Sequence, residues 1–263
     1  MKIIDLNEEN KPLFNVCLED WSDEMKEAGN HKELWCAKMW DKGLRVKLAL
    51  DDCGEVGGMI QYIPIEHSAA DGKDLYFILC VWVHGYKKGR GDFQKSGMGQ
   101  ALLAAAEDDV KSLGAKGIAA WGVPMPFWMR ASWFKKHGYA KADGQGFMGP
   151  VLLWKSFDDN AIPPEWIERK KKPVLTSGKV NVTVLVNGWC PAMNLIYERA
   201  KRAAAQFGEK VEFVGIDTSD RETFLEWGIS DALFIDGKEI RTGPPPSFEK
   251  IFKKIEKLVR KLG

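Results

Sequence analysis

Apolar positions along the chain come in short runs broken by turn formers, and stretches of near-helical period lie between those runs. In the first half this predicts a strand over Lys2 to Leu6, a helix over Lys11 to Ala28 and a strand over Arg45 to Asp51, with Gly29 and Gly43 as breaks. Asp51-Asp52-Cys53-Gly54 supplies turn residues between Val46 to Leu50 and Met59 to Ile65, so those two strands are expected to pair antiparallel. The apolar run Leu75 to Val83 comes next, then a polar loop and a helix from Gly99 to Leu113. On that helix Met98, Ala101, Leu102, Ala105, Val110 and Leu113 recur at helical spacing, while Gln100, Glu107, Asp108 and Lys111 fall elsewhere and Gly114 marks the stop. A strand over Gly117 to Val123, a helix over Phe127 to His137 and a strand over Val151 to Phe157 close the series.

Breakers and charges then take over, from Asp158-Asp159-Asn160-Ala161-Ile162-Pro163-Pro164 through Arg169-Lys170-Lys171-Lys172-Pro173, the composition of a solvated linker. This divides the chain into a domain over 1–158, a linker over 159–178 and a smaller domain over 179–263. The second domain reads strand (Val180 to Val186), helix (Pro191 to Phe207), strand (Lys210 to Ile216), helix (Arg221 to Trp227), two short strands (Ala232 to Ile235, Lys238 to Arg241) and a final helix. Along that last helix Phe248, Ile251, Phe252, Ile255, Leu258, Val259 and Leu262 form one face against five lysines, as a cover for a sheet requires.

Composition narrows the function classes. At 263 residues, with 45% hydrophobic and 29% charged, the chain is long enough for two globular domains. A net charge of +1 and the lack of a basic, aromatic-interleaved stripe point away from nucleic acid. No apolar run is long enough for a bilayer, and Lys2 and Asp5 interrupt any signal-like start, so no membrane association and a cytoplasmic location are expected. The five cysteines form no C-x-x-C pair and the four histidines no ligand spacing, so neither a disulfide framework nor a metal is expected.

The candidate chemistry centres on Gln94-Lys95-Ser96-Gly97-Met98-Gly99, between the apolar run and the helix. Two glycines one residue apart let a backbone approach an anion closely, and the helix start adds unpaired amides and a positive dipole end. Gly89-Arg90-Gly91 lacks the third glycine of a dinucleotide fingerprint, and no Gly-Lys-Ser/Thr follows at P-loop spacing. The Q/R-x-x-G-x-G/A pattern in its strand-loop-helix setting resembles motif A of the GNAT N-acetyltransferases. Trp133-Phe134-Lys135-Lys136-His137-Gly138-Tyr139 resembles that family's L-Y-x-x-x-G-F segment, with the tyrosine replaced by Phe134.

The resemblance implies an α/β GNAT fold with a mixed, mostly antiparallel, splayed sheet, and acetyl-CoA as cosubstrate. It places the pyrophosphate on the amides of Ser96, Gly97, Met98, Gly99 and Gln100, with Gln94 and Lys95 at the loop and Lys87, Lys88 and Arg90 either reaching phosphate or solvated. It lays the pantetheine arm against Val81, Trp82 and Val83, whose backbone would also donate to the oxyanion. The family's tyrosine acid has no counterpart in Phe134, which leaves Tyr139, Ser132 or water. His84, at the end of that strand, carries an imidazole, the side-chain type suited to accepting a proton near neutral pH, unless it is a turn histidine. Trp121, Pro124, Met125, Pro126, Phe127, Trp128 and Trp133 are core or the wall of a pocket for a small amine acceptor.

The βαβαββα order of the second domain, with Asn187-Gly188-Trp189-Cys190-Pro191-Ala192-Met193 at its first strand-helix junction, resembles the thioredoxin fold. Met193 stands where the second cysteine of W-C-x-x-C belongs, and Ile229-Ser230-Asp231-Ala232 has no proline at that family's cis-proline position, which argues against a dithiol oxidoreductase. The whole chain thus resembles acetyltransferases carrying a YoaP-like C-terminal domain. Cys190, just before a helix start, motivates the alternative of a CoA-binding sensor whose second half recognises a thiol or a partner.

Overall fold

A computed structural model describes residues 1–125, 128–146 and 149–262. By internal contacts the chain forms two compact units, one from Met1–Trp21 and Lys38–Ile167, the other from Ser22–Ala37 and Glu168–Gly263. This differs from a single boundary in the linker: Ser22–Ala37 group with the second unit, and the residues up to Ile167 with the first.

Through residue 167 the elements are β1 (Lys2–Asp5), α1 (Lys11–Asn15), α2 (Asp23–Lys26), α3 (His31–Trp40), β2 (Arg45–Leu50), β3 (Val56–Pro64), β4 (Ala70–Asp71), β5 (Leu75–Val83), β6 (Gly85–Tyr86), β7 (Gly91–Asp92), α4 (Met98–Ser112), β8 (Gly117–Gly122), α5 (Ala131–Lys136), β9 (Ala140–Gly144), β10 (Val151–Ser156) and β11 (Glu165–Trp166). The expected hairpin is β2–β3, turned by the Asp51 carboxylate, which accepts from the amides of Cys53 at 2.9 Å and Glu55 at 2.8 Å. The expected single helix over Lys11 to Ala28 is instead α1, a break over residues 16–22, and α2. Cys17 and Leu18 take left-handed φ of 51° and 64°, which ends the helix and turns Leu18 fully inward. The segment from Glu165 to Trp166, read as linker, is strand β11 paired with β4.

In the first unit one seven-stranded sheet has the order β1-β2-β3-β5-β8-β10-β9. Its neighbours are antiparallel except β5 and β8, which run parallel for four residue pairs, Leu75↔Gly117 to Ile78↔Ala120. The separation begins at a bulge. On β3 Gln61 faces Cys80 and Tyr62 faces Ile78, so Leu79 is an extra residue in β5. A bulged strand bends and twists more strongly, and from Leu79 onward β5 pairs with β3 alone among the described residues.

Helix α4 covers β2, β3 and β5 on one face, burying Met98, Leu102, Leu103, Ala106 and Val110 with Ile60, Tyr62, Ile78, Ile118 and Leu153. The buried stripe is rotated from the expected one. Glu107 is inside, its charge met by Lys155 Nζ at 2.7 Å, and Leu113 is outside. A second polar tie fixes the helix: Asp109 accepts two hydrogen bonds from Arg45, at 2.6 and 2.8 Å, and one from the Tyr62 hydroxyl at 2.7 Å.

The second unit contains β12 (Val180–Val186), α6 (Pro191–Ala205), β13 (Val211–Asp217), α7 (Arg221–Trp227), β14 (Ala232–Ile235), β15 (Lys238–Ile240) and α8 (Phe248–Val259). Its sheet has the order β13-β12-β14-β15, with β12 parallel to β13 and the other pairs antiparallel. The predicted stripe of α8 supplies Ile251, Ile255 and Val259 to a core with Val182, Val184 and Ile196, while Leu262 is exposed. Residues 22–37 join this unit through Arg199, which donates to Glu24 at 2.7 Å and Glu27 at 3.4 Å, and through His31, 2.7 Å from Glu198.

Candidate functional site

The loop before α4 has the conformation that its two glycines suggest, for different reasons. Gly97 is the N-cap at φ 85° and ψ −5°, a left-handed geometry that an L side chain rarely adopts. Gly99 is helical and lies where a Cβ would meet Trp133 Cζ2 at 3.6 Å and Val83 Cγ2 at 3.7 Å. Three distant parts of the chain therefore converge on the helix start: the tip of β5, the first turn of α4, and α5.

The amides of Gly97, Met98, Gly99 and Gln100 have no hydrogen-bond partner among the described residues, and the first turn carries no acidic residue. Backbone donors at the positive end of a 15-residue helix can receive an anion. Ser96 is less available, since its hydroxyl donates to the Phe93 carbonyl at 2.5 Å and its amide to the same oxygen at 3.4 Å. Lys95 is exposed at the rim with φ 63°. Gln94 is exposed too, but its side chain lies over Gly85, so closely that a Cβ there would come within 2.0 Å of the Gln94 amide nitrogen. Arg90 is committed elsewhere, donating to the Val56 carbonyl at 3.0 Å, to Asp20 at 3.3 Å and to Glu55 at 2.8 Å. Lys88 sits 5.1 Å above the Trp21 ring.

The free edge of β5 follows from the register. The His84 amide donates to the Gly57 carbonyl on β3 at 2.9 Å. Alternation then turns the N–H and C=O of Val83 and Val81 away from β3, toward the gap left by β8, and those of Trp82 toward β3. The Val81 amide indeed donates to Met129 Sδ at 3.3 Å, and the Leu79 carbonyl accepts from Trp121 Nε1 at 2.8 Å. Of the expected backbone contacts, Val81 and Val83 thus face the gap and Trp82 does not. Met129 and Trp121 thus hold the gap-facing edge of β5, Met129 without a signal in the sequence and Trp121, expected as core or pocket wall, as a bridge between the splayed strands.

The proton candidates are dispersed. His84 is fully buried, with Nδ1 2.6 Å from the Gly91 carbonyl and Nε2 accepting from Trp21 Nε1 at 2.9 Å. The carbonyl can only accept, so Nδ1 carries the proton, and both nitrogens are occupied. This corrects the expectation of a proton-accepting His84: the ring ties β7 and Trp21 to the end of β5 and has no lone pair for an incoming amine. Tyr139 is buried beside Phe134, at 5.3 Å between ring centres, and burial together with the Glu107 carboxylate holds its hydroxyl well above the usual phenol range. A weaker, buried acid is poorly suited to protonate a departing thiolate. Ser132 is exposed on α5. The helix expected over Phe127 to His137 is α5, Ala131–Lys136, and Pro126 and Phe127 lie outside the described residues. Trp128 packs edge-on to Trp121 with centroids 5.0 Å apart.

In the second unit Cys190 is the N-cap of α6 and is 8% exposed. Two residues before it Gly188 takes φ 103°, and a Cβ there would meet Trp35 at 3.0 Å. The neighbouring loop is stapled by Asp231, which accepts from the Asn187 amide at 3.0 Å and the Ser230 hydroxyl at 2.9 Å; burial pushes its carboxyl up to about 6. Among the described residues no helix is long and apolar enough to cross a membrane, and no cluster of metal-ligating side chains occurs.

The family model described as Acetyltransferase (GNAT) family matches residues 5–139. Among solved structures the chain is similar to aminoglycoside 6'-acetyltransferase type Ii, at 16% identity and TM-score 0.44 over 59% of this chain and 97% of that one. It is similar also to the GNAT family N-acetyltransferase YhbS of Escherichia coli in complex with CoA, at 12% identity and TM-score 0.43 over 63% of this chain and 88% of that one. A third is a GNAT family acetyltransferase of Brucella melitensis in complex with acetyl-CoA, at 16% identity and TM-score 0.41 over 62% and 90% of the two chains. No curated protein matches the chain.

Proposed function

The chain belongs to the acetyltransferase (GNAT) family, and on that footing we propose that it transfers the acetyl group of acetyl-CoA to the amine of a small molecule, by direct attack of nitrogen on the thioester carbonyl. The observation that carries this reading is the pairing of the amides at the start of α4, unpartnered among the described residues, with the gap-facing edge of β5 at Val83, beyond the last residue of β5 that pairs with β8. In this reading Gly97, Met98, Gly99 and Gln100 hold the pyrophosphate and Lys95 adds charge at the rim. The pantetheine arm lies along the gap-facing edge at Val81 and Val83, and the Val83 amide donates to the oxygen that gains charge as the carbon becomes tetrahedral. The C–N bond forms, the C–S bond breaks, and the sulfur leaves as thiolate. With His84 and Tyr139 buried and Phe134 lacking a hydroxyl, the reading gives the proton steps to solvent water, with exposed Ser132 the remaining predicted hydroxyl.

The second unit we read as a thioredoxin-like, YoaP-type module, on its strand order and on Cys190 at the start of α6. Met193 offers a thioether where dithiol exchange needs a second thiolate, so the module is not assigned redox turnover.

The test is calorimetry with CoA followed by thiol release from acetyl-CoA across a panel of amino sugars, polyamines and amino-acid amides. Binding heat and release with at least one amine are expected. A protein that gives no heat with CoA refutes the reading.

A further inference from the structure

Strand β3 is buried along almost its whole length, and Gln61 is the polar side chain in it that hydrophobic burial alone does not explain. Its neighbours across the strands are Val46 on β2 and Cys80 on β5, both buried. Gln61 is 0% exposed, and among the described residues neither its Oε1 nor its Nε2 has a hydrogen-bond partner. Buried amides are paired in nearly all proteins, so an unpaired one calls for a reason.

A second unpaired group lies diagonally across. Met59 faces Trp82 and Gln61 faces Cys80, so Gln61 and Trp82 share a sheet face at a diagonal separation of about 7–8 Å. Trp82 Nε1 is likewise buried without a partner among the described residues. This face is opposite α4, because Ile60 and Tyr62 pack on the helix side and alternate with Gln61. Trp82 lies between Val81 and Val83, so its indole projects beside the backbone to which the reactive carbonyl is assigned. With the donor's phosphates at the start of α4, an acceptor must approach from the other face, that of Gln61 and Trp82.

Building on the acetyl-transfer reading, we propose that Gln61 and Trp82 select the acceptor by pairing with a neutral oxygen-bearing group next to its amine, a hydroxyl or a carboxamide. The indole can only donate, so it requires an oxygen lone pair, and the Gln61 amide both donates and accepts. Neither side chain carries charge to match a carboxylate or a phosphate. The favoured acceptors are therefore amino alcohols and amino amides over hydrocarbon amines of the same size.

The full-length protein is assayed with ethanolamine and glycinamide against propylamine, which has the same heavy-atom count as ethanolamine, and its melting temperature is compared with that of Gln61→Leu, or Gln61→Met should the first express poorly. A site that hydrogen-bonds an oxygen rejects the analogue lacking it, so the wild type is expected to prefer the oxygenated probes by more than about tenfold in kcat/KM. In Gln61→Leu the preference should fall to within about twofold and the melting temperature should rise, since an apolar side chain of similar volume removes an unpaired buried amide. Trp82→Phe should narrow the preference in the same way. A lowered melting temperature in both Gln61 variants, or a preference that survives them, overturns the proposal. If no probe is acetylated the melting temperature alone decides, and CoA calorimetry judges the acetyl-transfer reading separately.

Discussion

Replacing Gly97 with alanine isolates the backbone contribution of the anion loop. An added Cβ at Gly97 meets nothing within 4 Å among the described residues, so no steric clash with them confuses the result. What remains is conformational: at φ 85° an L residue costs about 1–2 kcal/mol relative to glycine. The variant can keep the left-handed geometry and lose that much stability, which for a unit of this size lowers its melting temperature by roughly 2–8 °C. Or it relaxes φ and rotates the adjoining peptide planes, so that the amides of Gly97 and Met98 no longer point with those of Gly99 and Gln100. If CoA needs the aligned set, a penalty of about 1.4 kcal/mol appears as a tenfold weaker Kd. Gly99→Ala is the control for fold. Gly99 has no positive φ, and its Cβ would make only ordinary contacts at 3.6 and 3.7 Å, so its melting temperature should match the wild type. Calorimetric titration of CoA into both variants, with thermal melts, is the assay. Unchanged CoA affinity in Gly97→Ala would refute the assignment of the cradle to this loop.

Three further outcomes are expected. Asp231, pushed up to about 6 by burial from an ordinary 3.8, has a folded pKa above its unfolded one, so its contribution is most favourable below pH 3.8 and is lost as pH rises through 6. The difference amounts to about 3 kcal/mol at pH 7, and Asp231→Asn should recover about 1–2 of it after losing the Ser230 bond, with a flatter urea-melt stability from pH 4 to 7; a variant less stable at pH 7 contradicts this. Asp109→Ala leaves Arg45 and Tyr62 without their shared partner and should cost about 3 kcal/mol in denaturant melts. Burial would raise the Asp109 carboxyl, but hydrogen bonds from Arg45 and Tyr62 and the Lys47 charge hold it below its usual range, so wild-type stability from this group is lost as pH falls below about 3.8 and the alanine variant lacks that acid loss. His84→Gln should lower stability by about 1–3 kcal/mol through the broken Trp21 and Gly91 contacts and leave the shape of the pH–rate profile unaltered; loss of a limb near pH 6–7 with an intact melt would restore His84 as a base.

Elements whose boundaries carry chemical signals were legible in the sequence. Val180–Val186, Arg221–Trp227 and Ala232–Ile235 fall at the expected positions because breakers flank strong apolar patterns, and the turn at Asp51 is written in side chains that bond their own backbone. The loop at Gly97 was equally readable, since only a few residue types permit its geometry. The region between Lys11 and Trp40 was not. Leu13, Phe14, Cys17, Leu18 and Trp21 keep helical spacing, yet Leu18 is drawn into a core and Trp21 meets His84, demands that no local pattern reports. The bulge at Leu79 was hidden for another reason: in LYFILCVWV every position is apolar or aromatic, so an extra residue breaks no alternation. The capping of the β5 edge by Trp121 and Met129 depends on that bulge and was illegible with it.

The allocation of Ser22–Ala37 has a practical consequence. The polypeptide passes between its two units at Trp21/Ser22, at Ala37/Lys38 and at Ile167/Glu168, so it has three crossings where an ordinary tandem protein has one. A gene cut within residues 159–178 would strand sixteen residues from the partners Arg199, Arg202 and Glu198 that hold them, so neither fragment would be a faithful copy of a half. The chain has to be expressed, purified and dissected as one piece.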